Sequence, residues 1–411
     1  MKVWLDALGV EGAVVEDVEL EEGEVRIQVR PGYRQARRCP HCNRRGARED
    51  SGDGRRRWRA HDVGLLHCSL VAEAPRIRCR EHGVVVAAVP WARHGSRFTK
   101  AFEDQVAWMV TQMSRHAVSE LMRVAWRTVS SIVERVVDEA RRRVDLLSNL
   151  RRIGIDEISY KKGHRYLMVV VDHDTDRLVW AAEGRNAETV GAFFDALGPE
   201  RCKNIEIVSA DGALWIEDMV RQRCVNSELC TDPFHVVKWA TDALDVVRRE
   251  VWNQLRRSHD SGHRQLAKSL KASRYALWKN PENLTDRQAN KLAEIERVNN
   301  PLWRAYLMKE QLREIIVMKS SDAARALQGW LSWACRSRLP AFVELNRKIR
   351  RHLDGIEAAL RMGVSNARVE SANTRIRLLH RLAFGFHSAK PAIALAFLKL
   401  GGLCPPLPGR K

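Results

Sequence analysis

The segment Arg-Ile-Gly-Ile-Asp-Glu, residues 152–157, predicts a short buried strand that ends by presenting the carboxylate of Asp156. A later segment, Ile-Glu-Ile-Val-Ser-Ala-Asp, predicts another apolar strand that ends in the same way at Asp211. Farther along, Asn-Ala-Arg-Val-Glu predicts a helix start that carries Glu370. Because hard divalent cations prefer oxygen ligands, we expect these three acids to meet in space and hold Mg²⁺ or Mn²⁺.

The elements around these acids follow an informative order. Apolar strands are predicted at 152–158, 166–172 and 178–183, and strands then alternate with helices in the segment that follows. This order predicts a multidomain α/β chain whose core is a mixed sheet flanked by helices, as in a ribonuclease-H-like fold. In such a sheet the first and fourth strands are neighbours, so Asp156 and Asp211 would approach each other.

Each acid also has a structural alternative. Asp211-Gly212 is typical of a turn that caps the following helix, and Asp156 with Glu157 suits a solvated strand end. The metal-site hypothesis therefore depends on the arrangement of the three acids rather than on any one of them. Two ions about 3.5–4 Å apart can clamp an in-line displacement at phosphorus, which indicates chemistry on a phosphodiester.

The composition is that of a long, basic, globular chain. Its 411 residues suffice for two or three domains, and 45% hydrophobic content supplies a substantial core. A net charge of +19 favours a polyanionic partner, usually nucleic acid, over a merely basic enzyme. Nine scattered cysteines fit reduced intracellular thiols. The N-terminus lacks a signal-peptide pattern, and no apolar run is long enough for a membrane span.

Two close pairs of soft ligands precede the core, namely Cys39-Pro-His-Cys42 and Cys79-Arg-Glu-His82. Each pair suits a tight knuckle, and two knuckles can clamp one tetrahedral Zn²⁺ ion. With a predicted basic turn at 55–59 and a strand at 64–72 between the pairs, the segment indicates a zinc ribbon. Four ligands leave no open coordination position, so we expect a structural zinc. Alternative or nearby groups in the same segment are His67, Cys68 and His41.

The next segment predicts three helices, at 98–113, at 116–122 and from Trp126 onward. A short helix, a tight turn and a longer helix form a helix-turn-helix, whose last helix can enter a DNA major groove. An ordinary three-helix packing unit is the alternative, but the zinc module and the basic charge favour DNA binding. The residues that we expect near bases or phosphates are Arg127, Thr128, Ser130 and Ser131.

The helix that carries the third acid is predicted to be amphipathic. Asn366, Glu370, Asn373 and Arg377 fall on one face, with apolar residues on the other. Packed on the sheet, this helix would deliver Glu370 to the two aspartates; a solvated polar face is the alternative. Together with Arg381, the residues Asn373 and Arg377 are candidate DNA-binding residues, because this region is rich in groups that bind phosphate.

On these residues the chain resembles the DDE transposases of the ISL3 insertion-sequence family, over nearly its whole length. The motifs that carry the resemblance are the Cys39/Cys42 ribbon, Ile-Gly-Ile-Asp156-Glu, Ser-Ala-Asp211, Asp232-Pro-Phe-His235-Val-Val-Lys and Asn366-x-x-x-Glu370-x-x-Asn373-x-x-Ile376-Arg377. The resemblance implies Asp156, Asp211 and Glu370 as catalytic metal ligands. Asp232 competes with them for the second or third position. The family usually has a cysteine where this chain has His82.

The resemblance also implies binding to double-stranded DNA at terminal inverted repeats, then strand cleavage and transfer of the 3′-hydroxyl end to target DNA. A homodimer on DNA, in the bacterial cytoplasm at the nucleoid and with no membrane partner, is expected. A regulator with an inactive core and a nuclease without strand transfer are the alternatives. The predicted domains are a zinc ribbon at 1–92, a helix-turn-helix at 93–148, a catalytic core at 149–240 and 363–400, a helical insertion at 241–362 and a tail at 401–411.

Overall fold

The computed structural model describes residues 2–271, 273–318 and 322–410. The chain divides into two compact units. The first comprises Met1–Leu146, Tyr160–His164 and Arg375–Lys411, and the second comprises Leu147–Ser159 and Arg165–Thr374. Each unit has its own buried apolar core, so each is described by itself.

The first unit begins with a short helix and two small sheets. In chain order these elements are α1 (Lys2–Ala7), β1 (Ala13–Glu21), β2 (Glu24–Pro31), β3 (Ala47–Asp50), β4 (Arg55–Arg59), β5 (His67–Glu73), β6 (Arg76–Cys79) and β7 (Gly83–Val86). One sheet has the strand order β1-β2-β5-β4 and the other β3-β6-β7. The turn predicted at 55–59 is wrong: this segment is a strand, because Trp58 is buried in the core while Arg55 and Arg57 face solvent.

Three helices follow and confirm the predicted helix-turn-helix order: α2 (Lys100–Met109), α3 (Arg115–Met122) and α4 (Trp126–Arg143). Thr99 and Ser114 cap the first two helices by accepting backbone N–H groups. The C-terminal helix, Ala389–Leu400, also packs in this unit, where Arg141 lies 4.7 Å from the ring centroid of Phe397. The predicted core segment 363–400 is therefore divided between the two units.

The second unit is built on a five-stranded mixed sheet. Its strands and flanking helices are β8 (Arg152–Lys161), β9 (Arg165–Asp172), β10 (Leu178–Glu183), α5 (Ala187–Leu197), α6 (Pro199–Cys202), β11 (Ile207–Ala210), α7 (Leu214–Arg223) and β12 (Glu228–Thr231). The strand order is β10-β9-β8-β11-β12. Strands β9 and β10 are antiparallel, whereas β11 runs parallel to both β8 and β12. This topology confirms the predicted mixed sheet with its first and fourth strands adjacent.

A helical insertion separates the sheet from the helix that carries Glu370. Its elements are α8 (Pro233–Arg257), α9 (Ser261–Lys271), α10 (Arg274–Trp278), a 3₁₀ turn (Pro281–Asn283), α11 (Asp286–Val298), α12 (Asn300–Val317), α13 (Ala323–Cys335), α14 (Pro340–Arg351) and α15 (Leu353–Met362). Trp330 is buried in its core and donates its indole N–H to the carbonyl of Met308. The next helices are α16 (Ala367–Leu382) and α17 (Ala389–Leu400). In the described residues, every helix is too short or too polar to cross a membrane.

Candidate functional site

The parallel pairing of β8 and β11 brings the first two acids to one end of the sheet. Ile207 pairs with Arg152 and Ser209 pairs with Gly154. If this register is continued by two residues, Asp211 is level with Asp156. The backbone turns immediately after β11, where Gly212 has a φ of +82°. Asp211 accepts the backbone N–H of Ala213 at 3.2 Å, so the turn-capping role considered for Asp211 is also present.

The carboxyl groups at this sheet end influence one another. Burial, with a smaller contribution from the nearby charge of Asp211, raises the pKa of Asp156 to about 6. Burial also raises the pKa of Glu157 to about 7, although this group forms an ion pair with Arg185. Acids so close together repel one another when ionised, and a cation between them would relieve this repulsion.

Helix α16 packs directly on the strand that carries Asp156. A Cβ atom placed on Gly154 would lie only 2.2 Å from Cγ2 of Val369, so the helix approaches the sheet at a residue without a side chain. Asn373, one turn beyond Glu370, donates its side-chain N–H to Oδ2 of Asp156 at 2.7 Å. The polar face of the helix is therefore partly buried against the sheet rather than wholly solvated. Glu370 itself is half-buried.

Asn366, just before α16, fixes the start of this helix. Its backbone N–H donates to Oδ1 of Asp232 at 3.1 Å, and its carbonyl accepts the N–H of Glu370 at 2.8 Å. Its side-chain oxygen accepts a hydrogen bond from the hydroxyl of Ser209. The same hydroxyl lies 2.7 Å from Nε2 of His173. Asn366 thus ties the helix to β11 and to the end of β12. Ser209, Asp232 and Asn366 belong to the motifs quoted from the sequence, whereas His173 carries no sequence signal that singled it out.

Asp232 has hydrogen-bond partners on both carboxylate oxygens. Oδ1 accepts N–H groups of Asn366 and, at 3.4 Å, Phe234, while Oδ2 lies 2.8 Å from Nδ1 of His235. Its side chain is almost fully buried. The hydrogen bond to Asp232 raises the pKa of His235, and the charges of Asp211 and Asp156 act in the same direction. These interactions favour the protonated form of the His235 imidazole close to the acidic pair.

The zinc ligands form a compact cluster in the first unit. Donor atoms of Cys39, Cys42, Cys79 and His82 all lie within 4.8 Å of one another. Three of the separations are 3.6–3.7 Å. A tetrahedral ion with metal–sulfur bonds of about 2.3 Å places its ligands about 3.7 Å apart, so the cluster has the dimensions of a zinc site.

The other groups considered for the zinc site lie elsewhere or beside it. Cys68 is buried in the core of the four-stranded sheet, and the ring of His41 stacks on that of His82 at 5.0 Å. Within the described residues, Asp156, Asp211 and Glu370 do not form so tight a cluster of ligand atoms. Their joint coordination of an ion stays a prediction.

The predicted DNA-binding residues differ in their surroundings. Arg127 and Ser131 are exposed on α4, and Thr128 is half-buried. The hydroxyl of Ser130 accepts an N–H of Arg115 at 2.9 Å and so already has a partner. Arg377 and Arg381 are exposed on α16, whereas Asn373 is buried beside Asp156. For Asn373 the geometry favours orientation of the carboxylate over contact with DNA.

Comparison with known proteins gives relatives for each part of the chain. Residues 153–394 match a transposase family with an ISL3-type DDE domain, residues 87–137 the helix-turn-helix domain of transposase family ISL3, and residues 35–82 the zinc finger of the transposases of IS204, IS1001, IS1096 and IS1165. The transposase for insertion sequence element IS1557 of Mycobacterium tuberculosis is 51% identical, over 98% of this chain and 96% of that protein. The transposase for IS1001 of Bordetella parapertussis is 28% identical, with 80% of each chain covered.

Proposed function

Because the chain belongs to the ISL3 family of transposases, we propose that it binds the terminal inverted repeats of its own insertion sequence and moves that element. The reaction comprises metal-dependent hydrolysis at the element end and transfer of the new 3′-hydroxyl to target DNA. Hydrolysis breaks one P–O bond by addition of water. Transfer replaces one P–O bond by another, so it needs no covalent protein intermediate and no external energy source.

The observation that best supports this proposal is the hydrogen bond from Asn373 to Asp156. It joins the helix of the third acid to the strand of the first acid, although 217 residues separate the two partners in the chain. Asp211 follows the strand adjacent to that of Asp156. We propose that Asp156, Asp211 and Glu370 are the catalytic metal ligands.

The residues at the sheet end suit Mg²⁺ or Mn²⁺. Their donors are carboxylate and amide oxygens, the ligands that hard cations prefer. Among the described residues, Oδ1 of Asn373 is buried with no hydrogen-bond partner, so an oxygen donor is available beside Asp156. When bound, the ions would lower the pKa of the attacking water and offset the charge on the departing oxygen.

Side chains of the protein would orient the metal-binding carboxylates and offset negative charge on the DNA. Asn373 holds the carboxylate of Asp156 through Oδ2, while the backbone N–H of Glu157 donates to Oδ1 at 2.7 Å. We assign Asp232 an orienting role rather than a ligand role, because its side chain is almost fully buried whereas that of Asp156 is only partly buried. Its carboxylate holds His235 and the backbone N–H of Asn366. The imidazole of His235 would place positive charge near the DNA phosphate.

We also propose roles for the zinc cluster and for a second copy of the chain. The zinc cluster would hold the N-terminal ribbon in its DNA-binding form. Arg127, Thr128 and Ser131 would contact one inverted repeat, and a second copy of the chain would hold the other repeat. A homodimer on paired ends follows from the need to bring both ends to one target site. Such a complex would act in the bacterial cytoplasm on nucleoid DNA.

The test incubates the purified chain with labelled duplexes that carry the element ends and with target DNA, in Mg²⁺ or Mn²⁺. We expect joined products with the wild type. Asp156→Asn should lower product formation by more than about 1000-fold, because lost metal chemistry removes several kcal/mol of transition-state stabilisation. Binding of the ends should persist in this variant.

A matched control is Asp218→Asn, which changes an exposed aspartate of the same unit and should leave product formation unchanged. Cleavage without joining by the wild type would favour the nuclease, and binding with neither product would favour the regulator. Equal loss of binding and chemistry in Asp156→Asn would mean that this carboxylate only supports the fold.

A further inference from the structure

The turn after helix α16 presents an aromatic side chain to solvent. Phe384 is 86% exposed, and its φ of +55° lies in the left-handed region that bulky residues seldom adopt. In the described chain, the other non-glycine residues with a positive φ are polar or charged. Exposure of an apolar ring and an unfavourable backbone conformation both oppose folding. Packing within the chain therefore does not account for this residue.

The turn is held firmly on both sides of Phe384. Arg115 donates to the carbonyl of Ala383 at 3.3 Å and to that of Gly385 at 3.0 Å. Phe386 is buried, and the guanidinium of Arg115 lies 4.8 Å from its ring centroid. The two phenylalanines of the turn thus have different roles. Phe386 anchors the turn, and Phe384 is displayed by it.

The same arginine connects the turn to the helix-turn-helix. Arg115 begins α3, and its guanidinium also donates to the hydroxyl of Ser130 on α4 at 2.9 Å. Phe384 and Trp126, the first residue of α4, line one surface hollow of about 400 Å³. The exposed ring therefore stands beside the N-terminal end of the helix predicted to enter the major groove.

The surroundings of Phe384 suit a polyanion. Exposed basic or imidazole groups lie on the same segments, namely Arg127 on α4, Arg381 on α16 and His387 after the turn. One acid, Glu120, is among the residues that line the hollow. A displayed ring among cations is the combination that proteins use to contact bases while the cations bind the backbone.

We propose that Phe384 is a wedge that unstacks a base step of double-stranded DNA held by the helix-turn-helix. This inference rests on the proposed function, because that function supplies the bound duplex. A ring fixed by a clamped backbone loses little conformational freedom on binding, so the strained turn preorganises the contact. The wedge would distort the duplex near the recognised repeat and needs no side-chain hydrogen bond to a base.

The test uses duplexes of the terminal inverted repeat with 2-aminopurine placed at successive positions. The fluorescence of 2-aminopurine increases when the base is unstacked. We expect the wild type to raise its fluorescence at one step, and Phe384→Ala to abolish the rise and weaken binding at least roughly 5-fold. Phe384→Trp, which retains an aromatic ring, should keep the rise.

Two variants distinguish the proposed role from an effect on folding and from the loss of any exposed apolar side chain. Phe384→Gly should also abolish the signal while the Tm stays equal or rises, because glycine accepts a positive φ. Leu20→Ala removes another exposed apolar side chain, on β1, and should change neither fluorescence nor affinity.

Tight binding with no fluorescence rise at any position, or a rise that survives Phe384→Ala, would overturn the wedge alone. Failure of the wild type to bind the repeat would overturn the proposed function and the wedge with it. If Phe384→Ala instead dissociated a dimer in the absence of DNA and left the fluorescence unchanged, the ring would belong to an interface between copies, and the wedge would be wrong.

Discussion

The zinc cluster and the acidic sheet end both gather side chains that suit a metal ion, but they do so by different means. Each half of the zinc cluster is a pair of ligands three positions apart in the sequence, and only one long connection has to be closed. The proposed acidic site would draw single residues from β8, from the turn after β11 and from α16. Its geometry depends on strand register and on helix packing over more than two hundred residues.

The two sites should therefore differ in how far their local fold depends on a bound metal ion. A cluster made of local pairs takes much of its stability from the ion itself, since a small ribbon has little core of its own. The core around the zinc ligands is small, with Ile77 and Ala87 as its buried apolar members besides cysteines. The acidic site has a large sheet beneath it, so its fold should survive without metal.

The largest expected effect comes from zinc removal. Chelation should unfold the ribbon, because a structural zinc contributes about 10 kcal/mol or more of apparent folding free energy. We expect amides of β3, β6 and β7 to lose protection in hydrogen exchange while amides of β8 and β9 keep theirs. Cys79→Ala should act in the same way.

The matched control for this change is Cys335→Ser, an exposed cysteine outside the ribbon, which should retain one zinc per chain and full protection. If the ribbon amides keep their protection after complete loss of zinc, the ribbon does not depend on its ion more than the acidic site does, and the comparison is wrong.

A smaller effect is expected for Asp232→Ala. The substitution leaves His235 and the N–H of Asn366 without their buried partner, which should lower the free energy of unfolding by about 3–5 kcal/mol. Denaturant unfolding without metal measures this loss. Stabilisation by added Mg²⁺ should remain detectable if Asp232 orients the site. Near-normal stability without metal, combined with no response to Mg²⁺, would instead identify Asp232 as a ligand.

The smallest expected effect is that of Gly154→Ala. The added methyl group would collide with Val369, so α16 must shift from the sheet, and overpacking of this kind destabilises by about 1–3 kcal/mol. If strand-transfer activity falls by more than the loss in free energy of unfolding explains, the close approach of α16 to β8 positions Glu370. Gly329→Ala is the control, because its helical site is open and the change should be neutral or stabilising. Equal behaviour of the two variants would contradict the close packing.

Much of the fold could be predicted from the sequence. The strands of the mixed sheet and the three helices of the helix-turn-helix follow from hydrophobic periodicity, which burial imposes directly on the order of residues. The basic strand β4 was missed, because four arginines hide a single inward-facing Trp58. The two ligand pairs of the zinc ribbon could be predicted because the two members of each pair lie only three positions apart in the sequence.

The candidate acidic site was only partly visible. Asp156, Asp211 and Glu370 were named from strand ends and motifs, but the motifs do not show what the neighbouring residues contact. Ser209 and Gly154 are unremarkable in a strand until α16 packs against them. Asn373 was assigned to DNA, since a polar residue on a helix face does not reveal which element covers that face.

Local patterns in the sequence were enough to predict most of the helices and strands, the two ligand pairs of the zinc cluster and a polyanionic partner. These properties are local or additive along the chain. Only the packing of the folded chain shows that Asn366 hydrogen-bonds to both Ser209 and Asp232 and that Asn373 hydrogen-bonds to Asp156. The same packing leaves Phe384 exposed and buries Phe386. The physical reason is that hydrogen-bond partners and burial are set by which surfaces meet, and that depends on contacts between distant parts of the chain.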